Sequence, residues 1–479
     1  MAYDNAIFTS ESGDLKISGS IDGQNERPPT PNQVNAWVED PNHPRNWPTW
    51  KKNAQILMVA FHCMGATFMT AGIIPAYDVM SEEYGVPVES ATYLTATQIL
   101  LLGITPVFWK PITAIYGRYH VFLFAVFGCM LCNIGGAFCT SYGTQMATRV
   151  IAAICVSPPL GIGSGVITDL CEPHERAQKI GWWVLLLTLG TPAGPLIMGF
   201  VSGHLGWHWV FWILAIVNFV QFMLYVLLGD ETIYLEEGVP QTRSPGSFFN
   251  KFIPRRLDPR PLTAYHFIEP LLASRHPRLI IPIIAQTIVF CYGNIALIVE
   301  MPIAFGDKFQ LDEQQVGLQF IGIIIGCLMG EQLAGPTSDW FLRAIVRRKG
   351  SHRPADRLWL SYIGFSTVIC GLLVWGFQLD NASSTWNVTP LVGAAIASFG
   401  NQMIGTILMT FSVDSHRELA TDIGVCLSVC RQLYGFVGPF YFPAMFDTLK
   451  FAGAAGVMCA IIFAVAVVPT IAIQFISSR

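Results

Sequence analysis

The sequence predicts an all-α polytopic membrane protein, with twelve transmembrane helices arranged as two bundles of six. Three observations predict this class. The chain of 479 residues is 52% hydrophobic and only 13% charged, whereas soluble proteins carry about 25% charged residues. Its mean hydropathy is +0.47. Apolar stretches of about 20 residues, long enough to cross a bilayer, recur twelve times, with a long polar interruption after the sixth.

The first half of the chain contains six predicted spans, numbered 1 to 6 in chain order. They cover residues 54–77, 91–113, 120–140, 145–168, 178–202 and 208–229. Residues 1–50 are polar and contain Pro, Asn and Ser, so they predict a disordered cytoplasmic tail without a signal peptide. Residues 51–229 are therefore assigned to the first six-helix bundle.

A polar stretch, residues 230–278, follows span 6 and predicts a central cytoplasmic loop. Spans 7 to 12 are predicted at residues 279–304, 315–338, 358–378, 389–412, 421–446 and 451–476. Residues 279–479 are assigned to the second bundle. The twelve cysteines fall mostly inside apolar stretches, which is typical of small buried side chains rather than of disulfides. Neither a cofactor nor a metal ion is expected.

The distribution of Lys and Arg predicts the orientation. With a cytoplasmic N-terminus, all but four of the 28 basic residues fall in cytoplasmic segments, as expected of a membrane protein. Both termini are therefore predicted to be cytoplasmic. Two N-glycosylation sequons begin at Asn381 and Asn387. Both lie in the predicted outer loop between spans 9 and 10, on the side where glycans are attached.

A short internal repeat supports the division into two halves. The sequence KPITAIYGR at 110–118 follows span 2, and GPTSDWFLR at 335–343 follows span 8. Proline, hydroxyl and arginine match in register, at corresponding places in the two halves. The first copy has Ala114 where the second copy has Asp339. Internal repeats of this kind are typical of secondary transporters.

Four stretches resemble the major facilitator superfamily, and within it the fungal branch of the twelve-span drug:proton antiporters. They are DPNHPRNWPTWKKN at 40–53, the loop at 109–122, span 4 with the loop after it, and LGTPAGPLIMGFV at 189–201. The last resembles the antiporter signature of span 5, whose residues here are Gly190, Gly194, Pro195 and Gly199. Small residues four apart also allow two helices to pack closely. The resemblance implies export by antiport.

Charged residues inside the predicted spans are candidate functional positions, because they are costly in a bilayer. Arg149 in span 4 matches an arginine that the family couples to protonation, although Ala152 and Ala153 replace the family's Gln and Gly. Glu331 in span 8 is a candidate proton carrier. The alternative is a structural partner for a nearby arginine, and Arg431 of span 11 is the arginine expected there.

The loop after span 2 departs from the family pattern. The family has glycine and an acid where this chain has Lys110 and Ala114. Arg118 therefore needs another acidic partner, and Asp169 after span 4 is the expected one. The hypothesis is a cytoplasmic gate contact that breaks during transport; the alternative is a solvated loop. Asp339 is the gate acid that the second copy retains.

The resemblance implies that spans 1, 4, 7 and 10 line a central substrate cavity. The polar side chains inside spans 1, 7 and 10 are therefore candidate substrate ligands: His62, Asn294, Asn401 and Gln402. Each is equally well suited to an ordinary hydrogen bond between helices. His62 is of special interest because histidine titrates near neutral pH.

The resemblance implies a secondary active transporter that exports a small organic molecule, such as a drug, toxin or secondary metabolite, in exchange for protons. A carrier of a nutrient-like solute, an organic acid or a polyamine, is the alternative; the few intramembrane acids argue against a polyamine. A receptor or a membrane enzyme is a third class, but no catalytic motif supports an enzyme. The expected partners of this monomer are substrate, protons and the lipid bilayer, most simply the plasma membrane, and no nucleic acid.

Overall fold

The structure is a computed structural model that describes residues 43–172, 175–233, 256–257, 263–349 and 354–478. Most of the predicted N-terminal tail and much of the predicted central loop lie outside the described residues. Within them, the regular elements are helices, so the all-α polytopic fold class is confirmed.

Six helical spans form the first half. They are Thr49–Tyr84, Val88–Tyr116, Arg118–Ala137, Tyr142–Leu170, Arg176–Leu205 and His208–Leu228. Span 1 is not continuous, because the helix Thr49–Ala71 ends at Gly72 and a second helix, Tyr77–Tyr84, completes it. Gly117 has φ +88°, a conformation open mainly to glycine. It therefore joins span 2 directly to span 3.

The second half begins after a short helix, Tyr265–Leu272, in the central loop. Its spans are Pro277–Val299, Gln314–Ile345, Pro354–Asn381, Thr389–Ser415 and the long range Arg417–Ile476. The last range is broken at Lys450, where φ is +57° and ψ is 174°, so it crosses twice and supplies spans 11 and 12. The described residues thus contain the twelve spans that the sequence predicts.

Span 5 packs against both halves, on span 1 of its own half and on span 8 of the other. A Cβ added at Gly194 would lie 2.8 Å from the Phe68 carbonyl oxygen and 3.0 Å from the Gly72 amide nitrogen. A Cβ at Gly317 of span 8 would lie 3.3 Å from the Pro195 carbonyl oxygen. The small residues of the span 5 motif therefore allow helix backbones to approach closely.

The two ends of the bundle differ in charge. One end contains the loop between spans 2 and 3, the loop between spans 4 and 5, the helix Tyr265–Leu272 and the end of span 8. We call this end the basic side, and the other end the opposite side. Span 11 packs on spans 2 and 4 of the first half, so the two halves meet along spans 2, 4, 5, 8 and 11.

Candidate functional site

A central cavity lies between the two halves. Spans 1, 2, 4 and 5 line it from the first half, and spans 7 and 11 from the second. Its polar lining residues are Thr67, Thr70, Thr95, Thr191, Ser428, Arg431 and Gln432. The rest of the lining is apolar and includes Trp183 and Phe290. A mainly apolar lining with a few polar groups is typical of a site for a small organic molecule.

Arg431 is the charged residue of this lining. Its side chain is 5% exposed, and the guanidinium carbon lies 3.4 Å from the centroid of the Phe290 ring, which is a cation–π contact. The alternative in which Glu331 pairs with Arg431 is not supported, because the structure shows no such pair among the described residues and Glu331 has other partners. Arg431 belongs to the cavity instead.

Glu331 is buried between spans 8, 10 and 5. Its Oε2 accepts hydrogen bonds from Gln402 Nε2 at 2.8 Å and from Thr406 Oγ1 at 2.6 Å. Gly181 of span 5 leaves the room for the carboxyl group, because a Cβ at that position would overlap Glu331 Oε1. The carboxyl group therefore contacts span 10 of its own half and span 5 of the other half. Its role as a proton carrier stays a prediction.

The four polar residues expected to bind substrate do not line the cavity. His62 Nδ1 lies 3.1 Å from the Tyr225 hydroxyl, between spans 1, 3 and 6. Gln402 is engaged by Glu331, and neither Asn294 nor Asn401 is among the lining residues. Spans 1, 4 and 7 line the cavity as expected, whereas span 10 does not. The individual residues were not predictable, because hydropathy does not determine which face of a helix points inwards.

Arg149 holds two spans of the first half together. The guanidinium is 2% exposed, and it donates to the carbonyl oxygens of Met69 at 2.9 Å and Thr70 at 3.3 Å. These carbonyls lie in the last turn of the first helix of span 1, where main-chain acceptors lack helical partners. The structure therefore gives Arg149 a cross-linking contact; its part in proton coupling stays a prediction.

A buried charge network closes the basic side. Arg357 is fully buried, and its Nη1 lies 3.0 Å from Asp339 Oδ1 while its Nε lies 3.1 Å from Asp414 Oδ2. Asp414 Oδ1 in turn accepts from Arg176 Nη1 at 3.0 Å. Asp339 Oδ2 accepts from the amide nitrogen of Gln178 at 3.3 Å. Arg176 and Gln178 belong to span 5, so the network joins the second half to the first.

A second link between the halves involves Lys110, which occupies the family's glycine position. Its Nζ forms an ion pair with Asp422 of span 11 and another, of 2.8 Å, with Glu269 Oε2 of the helix Tyr265–Leu272. Lys110 and Asp422 are both largely buried. The pairs Arg176–Asp414 and Lys110–Asp422 are together called the basic-side latch below.

Arg118 has the partner that the sequence indicates, but not the expected geometry. Its Nη1 lies 2.7 Å from Asp169 Oδ2. Both residues belong to the first half, so this ion pair joins spans 3 and 4 and does not cross between the halves. Whether it takes part in gating stays a prediction.

A second acidic residue contacts this loop from another part of the chain. Glu231, just after span 6, accepts hydrogen bonds from the amide nitrogens of Arg118 at 3.2 Å and Tyr119 at 3.1 Å. These are the first residues of span 3, where amide hydrogens lack helical partners and a carboxylate is favourable. A Cβ at Gly117 would collide with this carboxylate. Glu231 therefore caps span 3 at this hinge.

Sequence reasoning missed the residues of the basic-side latch, although one signal was present. Asp169 and Asp414 both lie at the basic-side end of the fourth span in their half. This shared place at the end of the span, rather than the register of the repeat, makes Asp414 the counterpart of Asp169. No comparable signal in the sequence predicts the contact of Lys110 with Asp422 or that of Glu231 with Arg118, because each contact joins residues that lie far apart in the chain.

Twelve apolar helices around a central cavity, with polar links between two halves at one end, define a helical membrane transporter. The model of the Major Facilitator Superfamily matches residues 56–439. The chain belongs to this superfamily, and the family indicated by the sequence motifs is confirmed.

Relatives of the chain are found among fungal transporters. "Efflux pump radE" of Floropilus chiversii is 27% identical over 451 residues, which cover 90% of this chain and 81% of that protein. "MFS transporter fsa7" of a Fusarium species is 27% identical over 409 residues, covering 84% and 79%. The crystal structure of the human organic anion transporter MFSD10 (TETRAN) matches 89% of this chain and 99% of that chain with a TM-score of 0.61. At 14% identity, this likeness supports the fold alone.

Cys171 offers a reporter of the closed basic side. The thiol follows span 4, is 1% exposed, and belongs to an apolar cluster that includes Val413 and Ala420 of the second half. Burial, followed by the charge of Glu175, raises the pKa of this thiol to about 12. The reactive thiolate is therefore scarce near neutral pH. Opening of the basic side would expose the thiol and increase its rate of alkylation.

We expect Lys110→Met to increase alkylation of Cys171 by a maleimide in the detergent-purified protein about 5- to 30-fold near neutral pH. The change leaves Asp422 buried without its cation, and a loss of about 1–2 kcal/mol from the closed state corresponds to this factor. Adding Asp422→Asn should reverse most of the effect. Peptide mass spectrometry measures the rate, with Lys450→Met on the opposite side as the control. Equal rates in all of these proteins would contradict the latch.

Proposed function

We propose that this protein exports a small organic molecule by proton-coupled alternating access. The observation that carries the proposal is the cavity between the halves, lined by spans of both, together with the ion pairs that join the two halves at the basic side. The name of one relative, "Efflux pump radE", agrees with export. Breaking the latch and closing the opposite side would move the cavity's opening from one side of the membrane to the other.

The basic side is proposed to be cytoplasmic, because cytoplasmic loops of membrane proteins are enriched in Lys and Arg. The membrane is proposed to be the plasma membrane. The same orientation leaves the sequons at Asn381 and Asn387 outside, where Asn381 is exposed at the end of span 9. The division into bundles 51–229 and 279–479, joined by the loop 230–278, and the monomeric state are parts of the same proposal.

Glu331 is proposed as the proton carrier. It is 4% exposed and has two neutral hydrogen-bond donors, and among the described residues no ion pair supplies it with a cation. A carboxyl group in such a place is able to exchange a proton when its surroundings change. Its contact with Gly181 of span 5 makes its surroundings depend on how the halves are arranged.

Expression in a yeast strain that lacks its own drug pumps tests the export proposal. Cells preloaded with compounds of several classes should lose at least one of them faster than cells carrying the empty vector. An acidic medium should accelerate this loss, and a protonophore should abolish it, because protons entering the cell would drive the export. Loss of the compound that a protonophore does not slow would contradict proton coupling. No difference across the panel would contradict export.

A further inference from the structure

The central cavity has one feature that the proposed function does not explain. Its lining contains a buried cation, Arg431, and no acidic side chain among the described residues. Two other buried arginines are paired with acids: Arg357 has two aspartates, and Arg176 has one. A buried charge without a counter-ion is costly. The cavity is therefore electrostatically incomplete until an anion enters it.

Hydrogen-bonding capacity leads to the same conclusion. The hydroxyl group of Thr70 donates to the Ala66 carbonyl oxygen at 2.8 Å, and that of Ser428 to the Leu102 carbonyl oxygen at 3.3 Å. Thr67 Oγ1 donates to the Leu187 carbonyl oxygen at 3.0 Å. These hydroxyl hydrogens are already used by the main chain, so they are not available to a ligand. The guanidinium of Arg431 is the strongest donor left in the lining.

Arg149 shows why the other intramembrane arginine is not equivalent. Both of its terminal nitrogens donate to main-chain carbonyls of span 1, and it is not a lining residue. Arg431 instead lies on the face of Phe290. No hydrogen bond or ion pair engages its guanidinium within the described part of the chain, so its N–H groups remain available to a carboxylate, which an arginine binds through two parallel hydrogen bonds.

The remaining lining is suited to an apolar body. Trp183 donates its indole N–H to Cys63 Sγ at 3.0 Å, so the ring itself presents an apolar surface. Leu102, Leu187 and Ile298 extend this surface around the cavity. A ligand that matches both parts has one anionic group and a compact hydrophobic body.

We propose that the central cavity binds amphipathic organic monocarboxylates, with the carboxylate held by Arg431 and the apolar body held by Trp183, Phe290 and the aliphatic lining. The proposal rests on the proposed export function and names its substrate class. It excludes organic cations, which would meet the charge of Arg431 without a compensating acid in the described lining.

Binding to the purified full-length protein in detergent tests this assignment without any transport assay. Three ligands of similar size are titrated: 1-naphthaleneacetate, its primary amide, and 2-(1-naphthyl)ethylamine. The acid should bind about tenfold or more tightly than the amide, because it alone forms the charged pair with arginine, and the amine should bind most weakly. Acetate is added as a competitor of 1-naphthaleneacetate. It should not compete if the site needs the apolar body of the ligand, and it would compete if the site bound small anions in general.

Variants of the cavity assign the preference to its residue. Arg431→Gln should remove the preference for acid over amide, Arg431→Lys should retain part of it, and the exposed Arg417→Gln should leave it unchanged. If the first two variants do not fold, Phe290→Leu decides, since loss of the stacked ring should reduce the preference. Equal binding of acid and amide by the wild type, tighter binding of the amine, or an unchanged preference in Arg431→Gln (in Phe290→Leu, if the arginine variants do not fold) would overturn the proposal.

The two proposals fail in different ways. Acid binding that depends on Arg431, together with no proton-driven efflux of any compound, would contradict export and leave the binding site assigned. Proton-driven efflux of neutral or cationic compounds only, without acid preference in the titration, would overturn the carboxylate site and leave export intact.

Discussion

Replacing Arg357 by methionine is expected to lower the free energy of unfolding by about 3–5 kcal/mol, because it leaves two buried carboxylates without their shared cation. Arg357 is fully buried and lies within 3.1 Å of both Asp339 and Asp414. Asp414 keeps Arg176 in the variant, but Asp339 keeps only neutral donors. Thermal unfolding of the purified protein, followed by tryptophan fluorescence, measures the change.

Two further variants separate this explanation from a general loss of packing. Adding Asp339→Asn to Arg357→Met should restore part of the stability, since it removes the uncompensated charge. Arg343→Met serves as the matched control, because Arg343 is exposed near the end of span 8 and should tolerate the change. Equal destabilisation by the two methionine substitutions, or no recovery in the double variant, would contradict the network.

The same two arginines show where sequence reasoning stops. The internal repeat aligns Arg343 with Arg118, yet the structure gives the corresponding position to Arg357. The reason is the length of span 8: its helix continues to Lys349, which carries Arg343 beyond the buried interface. Arg357 immediately precedes the helix of span 9, much as Arg118 begins span 3. The residue that aligns with Arg118 in the sequence repeat, Arg343, is therefore not the residue that corresponds to it in the structure, Arg357.

The positions of the spans were predictable because a helix needs about 20 mainly apolar residues to cross the bilayer, and such stretches are visible in the hydropathy of the sequence. Span 3 was expected at 120–140 and is the helix Arg118–Ala137, an offset of two or three residues. Rotation about each helix axis was not predictable in the same way. His62 and Asn294 are polar, but both are buried away from the cavity, since small differences in packing decide which face points inwards.

Contacts between distant parts of the chain were predictable only when topology placed them together. Asp169 was named as the partner of Arg118 because adjacent spans end at the same side of the bundle. Glu231 and Lys110 follow no such rule. Their partners depend on how span 6 returns to span 3 and on how span 11 packs on span 2, which the sequence does not encode locally. The sequence of the loop itself therefore did not indicate that Glu231 would contact it.

Glu331→Gln is expected to abolish proton-driven transport while leaving proton-independent exchange of substrate across the membrane. Glutamine keeps the shape of the side chain and its acceptor oxygen, so the hydrogen bonds from Gln402 and Thr406 have a partner. It has no proton to exchange. An external pH change should therefore no longer alter the efflux rate, whereas exchange of labelled for unlabelled substrate should persist.

Glu418→Gln provides the matched control for this experiment, since Glu418 is exposed in the short turn between spans 10 and 11 and the substitution is chemically the same. Its pH dependence should equal that of the wild type. The distinction matters because Glu331 also has a structural place beside Gly181 of span 5. If the Glu331 carboxyl group were purely structural, its replacement would abolish substrate exchange and pH-driven transport together. Unchanged pH-driven transport in Glu331→Gln would show that the proton is carried elsewhere.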